Sequence, residues 1–434
     1  MRPASGRDVR LLLATDHYLP FIGGAHRQTH LLARHMVSRG HDVDVVTPWH
    51  GGLPTREEDE GIVVHRVRQL RTVVPALVRD SSQRHQPPFP DPVSIRALRR
   101  VLRETRPDLV HVNGWLAFSL TAAMAGQRIP LLVSAREYTY FCATRTMLHQ
   151  GLPCSGPAPR KCLACAGDYY GVAKGVVTAA SVAAGRPLLA RKMTGLHSVS
   201  TYVHDVMLEY LCGGREAAAE RGLVQATIPS VLDSDVDVHD GRVDECLARL
   251  PREPYIMFVG AFREAKGLNV LFDAYARLDA PPPLVLMGTI KRDAPTLFPP
   301  GATIITDVPH AAVMAAWEGA MFGVMPSNWP EPLGMVLAEA LSMGRPVIGT
   351  QIGGHADIVD ETCGILVPQG DAAALAEAMR TLIDDPELRA RMGLAARERA
   401  TMFAAEAVLP RYEQLYRSML AQEAPAAGPS GDET

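Results

Sequence analysis

Glu331 and Glu339 are two carboxylates eight residues apart, in the run Glu-Pro-Leu-Gly-Met-Val-Leu-Ala-Glu. Pro332 suits a first helical turn, where its missing N–H costs nothing. Gly334 and Met335 then offer backbone N–H groups at a helix N-terminus, whose partial positive charge suits a diphosphate. Glu339 lies about two turns further in, too deep to cap the helix. A carboxylate can accept from two hydroxyls of one sugar ring. A pocket that grips a phosphate between two polyols has the shape of a nucleotide sugar. Taken alone, the pair would read as a solvated glutamate beside an amphipathic helix; the neighbouring residues decide between the two.

Two further features converge on the same chemistry. In Phe258–Leu268, an apolar strand runs into a loop bearing Arg263 and Lys266 just before a helix. Two cations at the carboxyl end of a strand can grip a diphosphate, Arg bidentately and Lys as a point charge. The glycine pairs Gly23-Gly24 and Gly353-Gly354 each follow a strand, where they let backbone approach a ligand.

The elements that would position these groups form two series. Val9–Thr15, a loop with the first glycine pair, a helix ending at Gly40, and Val43–Thr47 make a β–loop–α–β unit. Strands at Leu109–Val112, Leu131–Ser134 and Leu196–Ser200 continue it. A second series comprises strands Tyr255–Val259, Leu284–Met287, Thr303–Thr306, Phe322–Met325 and Val347–Thr350, with a helix over Leu268–Leu278. Alternation of this kind builds parallel, doubly wound sheets. The expected fold class is α/β: two Rossmann-like domains, residues 1–228 and 229–403, then a helix at 404–422 and a disordered tail at 423–434.

Composition narrows the class. The 434 residues are 47% hydrophobic and 21% charged, ordinary for a globular chain. No apolar run is long enough to span a bilayer, since Gly175–Ala190 is interrupted by Gly185, Arg186 and Pro187, and the charged N-terminus is no signal peptide. A cytoplasmic location is expected, with the inner membrane face as a peripheral site. Residues 1–223 hold 28 Lys+Arg against 18 Asp+Glu, and the remainder 16 against 29. That asymmetry fits either an anionic partner for the basic half or attraction between the halves across a cleft. Neither an intact G-x-G-x-x-G nor a P-loop is present, which argues against nicotinamide, flavin and P-loop chemistry. Nucleic acid is not an expected partner, because the basic residues are not interleaved with aromatics.

Order and spacing together make the chain resemble the family 4 glycosyltransferases, retaining enzymes of GT-B fold. The similarity rests on Val-Gly-x5-Lys-Gly at 259–267, Pro326-Ser327 before the E-x7-E, Glu339-Ala-Leu-Ser-Met-Gly-Arg-Pro-Val347, and Ile352-Gly-Gly-His355. It implies a C-terminal domain that binds a UDP- or GDP-sugar and a basic N-terminal domain that binds the acceptor. By resemblance, Glu339 holds the ribose and Glu331 the transferred hexose. Arg263 and Lys266 neutralise the departing diphosphate, aided by backbone around Leu333–Met335, so that no divalent metal or other cofactor is required. The acceptor is unknown, with lipid-linked and polysaccharide acceptors in view. Two departures stand out. Ala261 replaces an arginine common in the family, and Arg136, in Ser134-Ala-Arg-Glu137, replaces the histidine expected near the reacting carbon. Arg136 therefore joins the catalytic candidates. A GT-B hydrolase or epimerase, and a non-catalytic nucleotide-sugar binder, are the alternative functions. Glu331 and Lys266 are expected to be exposed in an open cleft, so that truncating either removes transfer with little loss of stability.

Cys142, Cys154, Cys162 and Cys165 fall in one Gly/Pro-rich stretch, read as a loop. Their spacing fits structural zinc in a reducing compartment, with free thiols or disulfides as the alternatives. Val93–Arg106 places five arginines beside Ile95, Leu98 and Leu102. Such a helix either lies on an anionic membrane surface or docks on the sheet with a solvated charged face.

Overall fold

The computed structural model describes residues 9–20, 24–74, 88–232 and 241–423. The first domain holds β1 (Arg10–Thr15), β2 (Asp42–Pro48), β3 (Arg56–Asp59), β4 (Ile62–Val67), β5 (Leu109–Asn113) and β6 (Leu131–Ala135). A small hairpin, β7 (Leu148–His149) and β8 (Leu152–Pro153), precedes β9 (Gly195–Ser198) and β10 (Val224–Thr227). The second domain holds β11 (Tyr255–Phe262), β12 (Leu284–Ile290), β13 (Thr303–Thr306), β14 (Ala320–Met325), β15 (Val347–Thr350) and β16 (Gly364–Val367). The first sheet runs β10-β9-β6-β5-β1-β2-β4-β3 and is parallel apart from the edge strand β3; the second, β13-β12-β11-β14-β15-β16, is parallel throughout. Leu11–Ala14, Leu131–Ala135 and Tyr255–Phe258 are buried along their length, as expected of strands covered by helices on both faces. The expected pair of Rossmann-like domains is present, and the arrangement is GT-B.

The domains meet through loops at the carboxyl ends of their strands. Tyr138, just beyond β6, donates its hydroxyl to the Pro330 carbonyl at 2.5 Å. Thr201 N–H, in a helix turn capped by Ser200, donates to Asp357 across the boundary. The linker is pinned as well: the Gln28 side chain makes both hydrogen bonds to the Val231 peptide, at 2.6 and 2.7 Å, and Leu232 N–H reaches Phe403 O at 2.7 Å.

The last helix, Ala405–Glu423, crosses back to the first domain. Val408, Tyr412, Leu415, Tyr416 and Met419 share a core with Leu11, Leu13 and Leu132. Glu413 accepts from Arg39 at 3.1 Å and lies 3.2 Å from His41 Nε2. The expected separate helix is thus a structural part of the first domain. The expected tail lies outside the described residues, apart from Glu423 at the helix end.

The cysteine-bearing stretch departs from expectation. Pro159 takes the first turn of a helix, Pro159–Tyr170, and a second, Val172–Lys192, returns against it. Cys162 and Cys165 therefore sit on a helix and not in a loop.

Candidate active site

Three loops of the second domain build the site around Glu331. The loop after β11 carries Arg263, Lys266 and Gly267. The loop after β14 carries Ser327 to Gly334. The loop after β15 carries Gly353 and Gly354 and leads into the short helix His355–Ile358. A side chain on Gly267 would place its Cβ 1.7 Å from Pro326 O, and one on Gly353 would sit 2.3 Å from Glu331 O. Gly354 N–H donates to Glu331 O at 2.7 Å, and Asn328 N–H to Ala265 O at 2.9 Å. The second glycine pair therefore serves backbone-to-backbone packing that fixes the Glu331 loop. This packing also moves the helix start: Pro332 stays in the loop, and the helix runs Met335–Ser342 with Gly334 as its left-handed N-cap, φ 91°.

The Glu331 side chain is buried, with 7% of the residue exposed. It accepts hydrogen bonds from Lys266 and from Ser327 Oγ, the latter at 2.8 Å. Burial pushes its carboxyl up, but Lys266, His355 and these hydrogen bonds prevail and hold it below the ordinary glutamate range. Lys266 also lies over the Trp329 ring, 5.4 Å from its centroid. The expectation that Glu331 is exposed is overturned, because three glycine-fitted loops close around it; the Lys266 side chain keeps 26% of its surface. His355, also buried, has Nδ1 3.1 Å from Thr350 O, and burial lowers its pKa against the pull of Glu331.

The other candidates are more dispersed. Glu339, in the helix behind the Glu331 loop, lies 3.0 Å from His310 Nε2. Arg263 turns outward to Asp293 at 3.3 Å, away from the Lys266–Glu331 pair. Leu333 is buried and Met335 half-buried. Gly24 opens the helix Gly24–Ser38, and Gly23 lies outside the described residues. Arg136 is tied to Ser230 Oγ at 3.1 Å and to Tyr412 Oη at 3.0 Å, so it braces the linker against the last helix. Their own burial, and then the Arg136 charge, push His111 down to about 3 and His197 well below the ordinary histidine value. No hydrogen bond joins it to the Glu331 group among the described residues.

At the carboxyl ends of its strands, the first domain presents groups that sequence reasoning missed. Asp16, just beyond β1, accepts from Trp115 N–H and Leu116 N–H, both at 2.8 Å, and burial pushes its carboxyl up to about 6. Glu137, just beyond β6, is raised by burial despite Arg145 at 3.5 Å, and Arg145 stacks over Trp115 at 5.0 Å. The available signal was position: each carboxylate comes shortly after a buried strand at its carboxyl end. His310 had no comparable signal.

The four clustered thiols take local partners. Cys142 Sγ lies 3.4 Å from Thr144 Oγ1, Cys154 3.5 Å from Gly156 O, Cys162 3.4 Å from Ala158 N and Cys165 3.6 Å from Leu148 O. Burial, and then the nearby Cys142, raise the Cys165 thiol. All seven cysteines are free, and among the described residues no three His, Cys, Asp or Glu side chains are arranged to hold a metal ion. Cys154 and Cys162 raise the Cys165 thiol as well, so the four thiols stay close together. The arginine-rich helix spans Pro92–Thr105, and Leu98, Val101 and Leu102 are packed into the core. Its apolar stripe is spent inside, and its outer face carries Arg96, Arg99, Arg100 and Arg103, with Glu104 paired to Arg100 at 3.4 Å.

Comparison with known proteins bears on this geometry. Residues 247–399 match the family described as Glycosyl transferases group 1, and residues 23–217 match the Glycosyl transferase 4-like domain. The chain belongs to the family 4-type glycosyltransferases. The transferase is 26% identical to a glycogen synthase of Mycobacterium tuberculosis, over 91% of this chain and 90% of that protein. It is 30% identical to the O-antigen chain mannosyltransferase C of Escherichia coli, over 44% of this chain and 54% of that one. Among solved structures it resembles the sucrose-phosphate synthase of Thermosynechococcus elongatus, with TM-score 0.66 and 19% identity, over 95% of this chain and 100% of that one. It also resembles the Anabaena protein HepE in complex with UDP-glucose, with TM-score 0.63 and 17% identity, over 94% and 99% of the two chains. At those identities the structural likeness speaks to the GT-B fold.

Proposed function

We propose that the transferase moves a hexosyl group from a UDP- or GDP-sugar to an acceptor hydroxyl held by the first domain, with retention of the donor's anomeric configuration. One observation carries this reading: a buried glutamate, ionised by Lys266 and Ser327, lies in the loop that leads through Gly334 into a helix N-terminus, at the carboxyl ends of β11, β14 and β15. The pair is poised to part. When a donor diphosphate enters, Lys266 can turn from Glu331 to phosphate, and the freed carboxylate can accept from sugar hydroxyls. Glu339, beside His310, is assigned to the ribose. Arg263, on an exposed loop with Asp293, swings in to share the diphosphate charge that grows as the glycosidic bond breaks. These cations do the work a divalent metal does elsewhere, and the leaving phosphate takes the acceptor's proton. The complexes of neighbouring folds with UDP-glucose and with ADP support a nucleotide-sugar donor.

The test is a binding and turnover series with UDP-, GDP-, ADP- and dTDP-sugars. One base class is expected to raise the melting temperature, and Glu339→Ala to abolish that gain. Turnover is expected to need an acceptor and to persist in chelator. Turnover without any acceptor would replace transfer by hydrolysis or epimerisation. Stabilisation by no donor would reduce the assignment to fold alone.

A further inference from the structure

The helix Val172–Lys192 carries an outward face that nothing covers among the described residues. Val172 is 77% exposed, Val177 55%, Leu188 53% and Val176 44%. Ala180 and Ala184 lie between them on the same open face. Among the exposed positions of this helix only Lys174 and Arg191, near its two ends, are charged. Twenty-one residues give a face about 31 Å long.

The exposure does not come from loose packing, because the opposite side of the helix is committed. A Cβ on Gly175 would lie 2.4 Å from the Ala166 backbone, and one on Gly185 would lie 2.5 Å from the Phe118 ring. Thr178, Val182 and Leu189 are buried on that side. The helix cannot roll its valines inward without breaking contacts that only glycine permits. A rigid, exposed, apolar face of this extent marks an interaction surface.

Charge selects the partner. Residues 159–192 contain six basic residues and a single acidic one, Asp168. A second copy laid on this face would bring two such basic hairpins together. An anionic bilayer offers apolar interior to the valines and headgroup charge to Arg160, Lys174 and Arg191, all exposed. No helix is long and apolar enough to cross a membrane among the described residues, so the contact is lateral. The hairpin leaves the sheet after β6, the strand whose following turn places Tyr138 against the Glu331 loop. Docking there would set the acceptor side of the cleft beside the lipid headgroups. We infer that the Val172–Lys192 face lies flat on an anionic membrane surface and holds the transferase there. This stands apart from the choice of donor and from the transfer reaction itself.

The test is co-sedimentation of the full chain with vesicles of phosphatidylcholine alone and with about one-third phosphatidylglycerol. Binding is expected to the anionic vesicles and to weaken with salt. Val172→Glu, Val176→Glu and Val177→Glu combined should lower partitioning by about tenfold or more, while circular dichroism and nucleotide-sugar binding stay unchanged. A second variant, Lys174→Ala with Arg191→Ala, should lower it by a smaller factor without touching the valines. Unaltered partitioning of the triple variant would overturn the inference, as would equal binding to neutral vesicles. Sedimentation velocity provides the remaining arm: a dimer that the triple variant dissolves would assign the face to a second copy.

Discussion

Removing the charge of Lys266 while keeping its stem isolates what holds Glu331 ionised inside the protein. In Lys266→Met the carboxylate stays buried with Ser327 as its remaining side-chain donor at 2.8 Å. Breaking a buried pair from one side costs ~3–5 kcal/mol, because an uncompensated charge is left behind. Lys266 is 26% exposed, so water relieves part of this and about 2–3 kcal/mol is expected. For a domain of this size ~1 kcal/mol moves Tm by ~2–4 °C, so the second domain should melt about 4–12 °C lower. Glu331→Gln leaves a lysine that can reach solvent, and should cost only about 1 kcal/mol. The double variant no longer buries a charge, so the two losses should fall short of adding by ~1.5 kcal/mol or more. The pH dependence has a definite sign. In the wild type, Glu331 is held below its ordinary value of 4.5, so its contribution is present above that value and lost as pH falls through the lowered one. In Lys266→Met, burial acts with far less opposition and raises the carboxyl. The variant's deficit should therefore shrink on acidification from about pH 8 to about pH 5, as the buried group takes up a proton. Differential scanning calorimetry on the four proteins across that range reads both quantities. Strictly additive losses, or a deficit that ignores pH, would refute a buried ionised Glu331.

Gly353→Ala should destabilise the second domain by about 3 kcal/mol or more and suppress donor binding, because its Cβ would sit 2.3 Å from Glu331 O at a left-handed φ of 63°; denaturant melts with donor titration check both. Glu339→Ala should weaken nucleotide binding by about tenfold or more through lost ribose hydrogen bonds, with Tm nearly unchanged in the absence of ligand; isothermal titration with the free nucleoside diphosphate decides. Asp16 favours its protonated form in the fold, with its carboxyl pushed from 3.8 up to about 6. First-domain stability should accordingly fall, on the order of 1–3 kcal/mol, as pH rises between those values, and Asp16→Asn should flatten that slope in urea melts.

The legible parts of the molecule were those set by local rules. Strands buried on both faces read directly as apolar runs, and Gly267, Pro326 and the Gly353 pair marked the loops that end them. The pairing of Lys266 with Glu331 was not legible, nor was the burial of Glu331, because both arise where three loops from β11, β14 and β15 close on one another. The 159–192 hairpin was hidden by proline and glycine, which open the helix at Pro159 and let it pack at Gly175 instead of breaking it. Arg136 was read from its place in a motif; its partners, Ser230 and Tyr412, come from distant parts of the chain.

The return of the last helix to the first domain imposes an order in time as well as in space. Tyr416 meets His111 at 2.8 Å, and Met419 packs under β9 against Gly195. His111 and Gly195 belong to a sheet whose final strand, β10, ends at Thr227. At ~5–20 residues per second a ribosome needs about 10–40 s to travel from that strand to Met419. Through that interval one face of the nascent sheet is uncovered, while the entire second domain is made and free to fold ahead of it. The newborn chain thus completes its second domain before its first, and Leu11, Leu13 and Leu132 wait for the C-terminal helix to shield them from water and from other nascent chains.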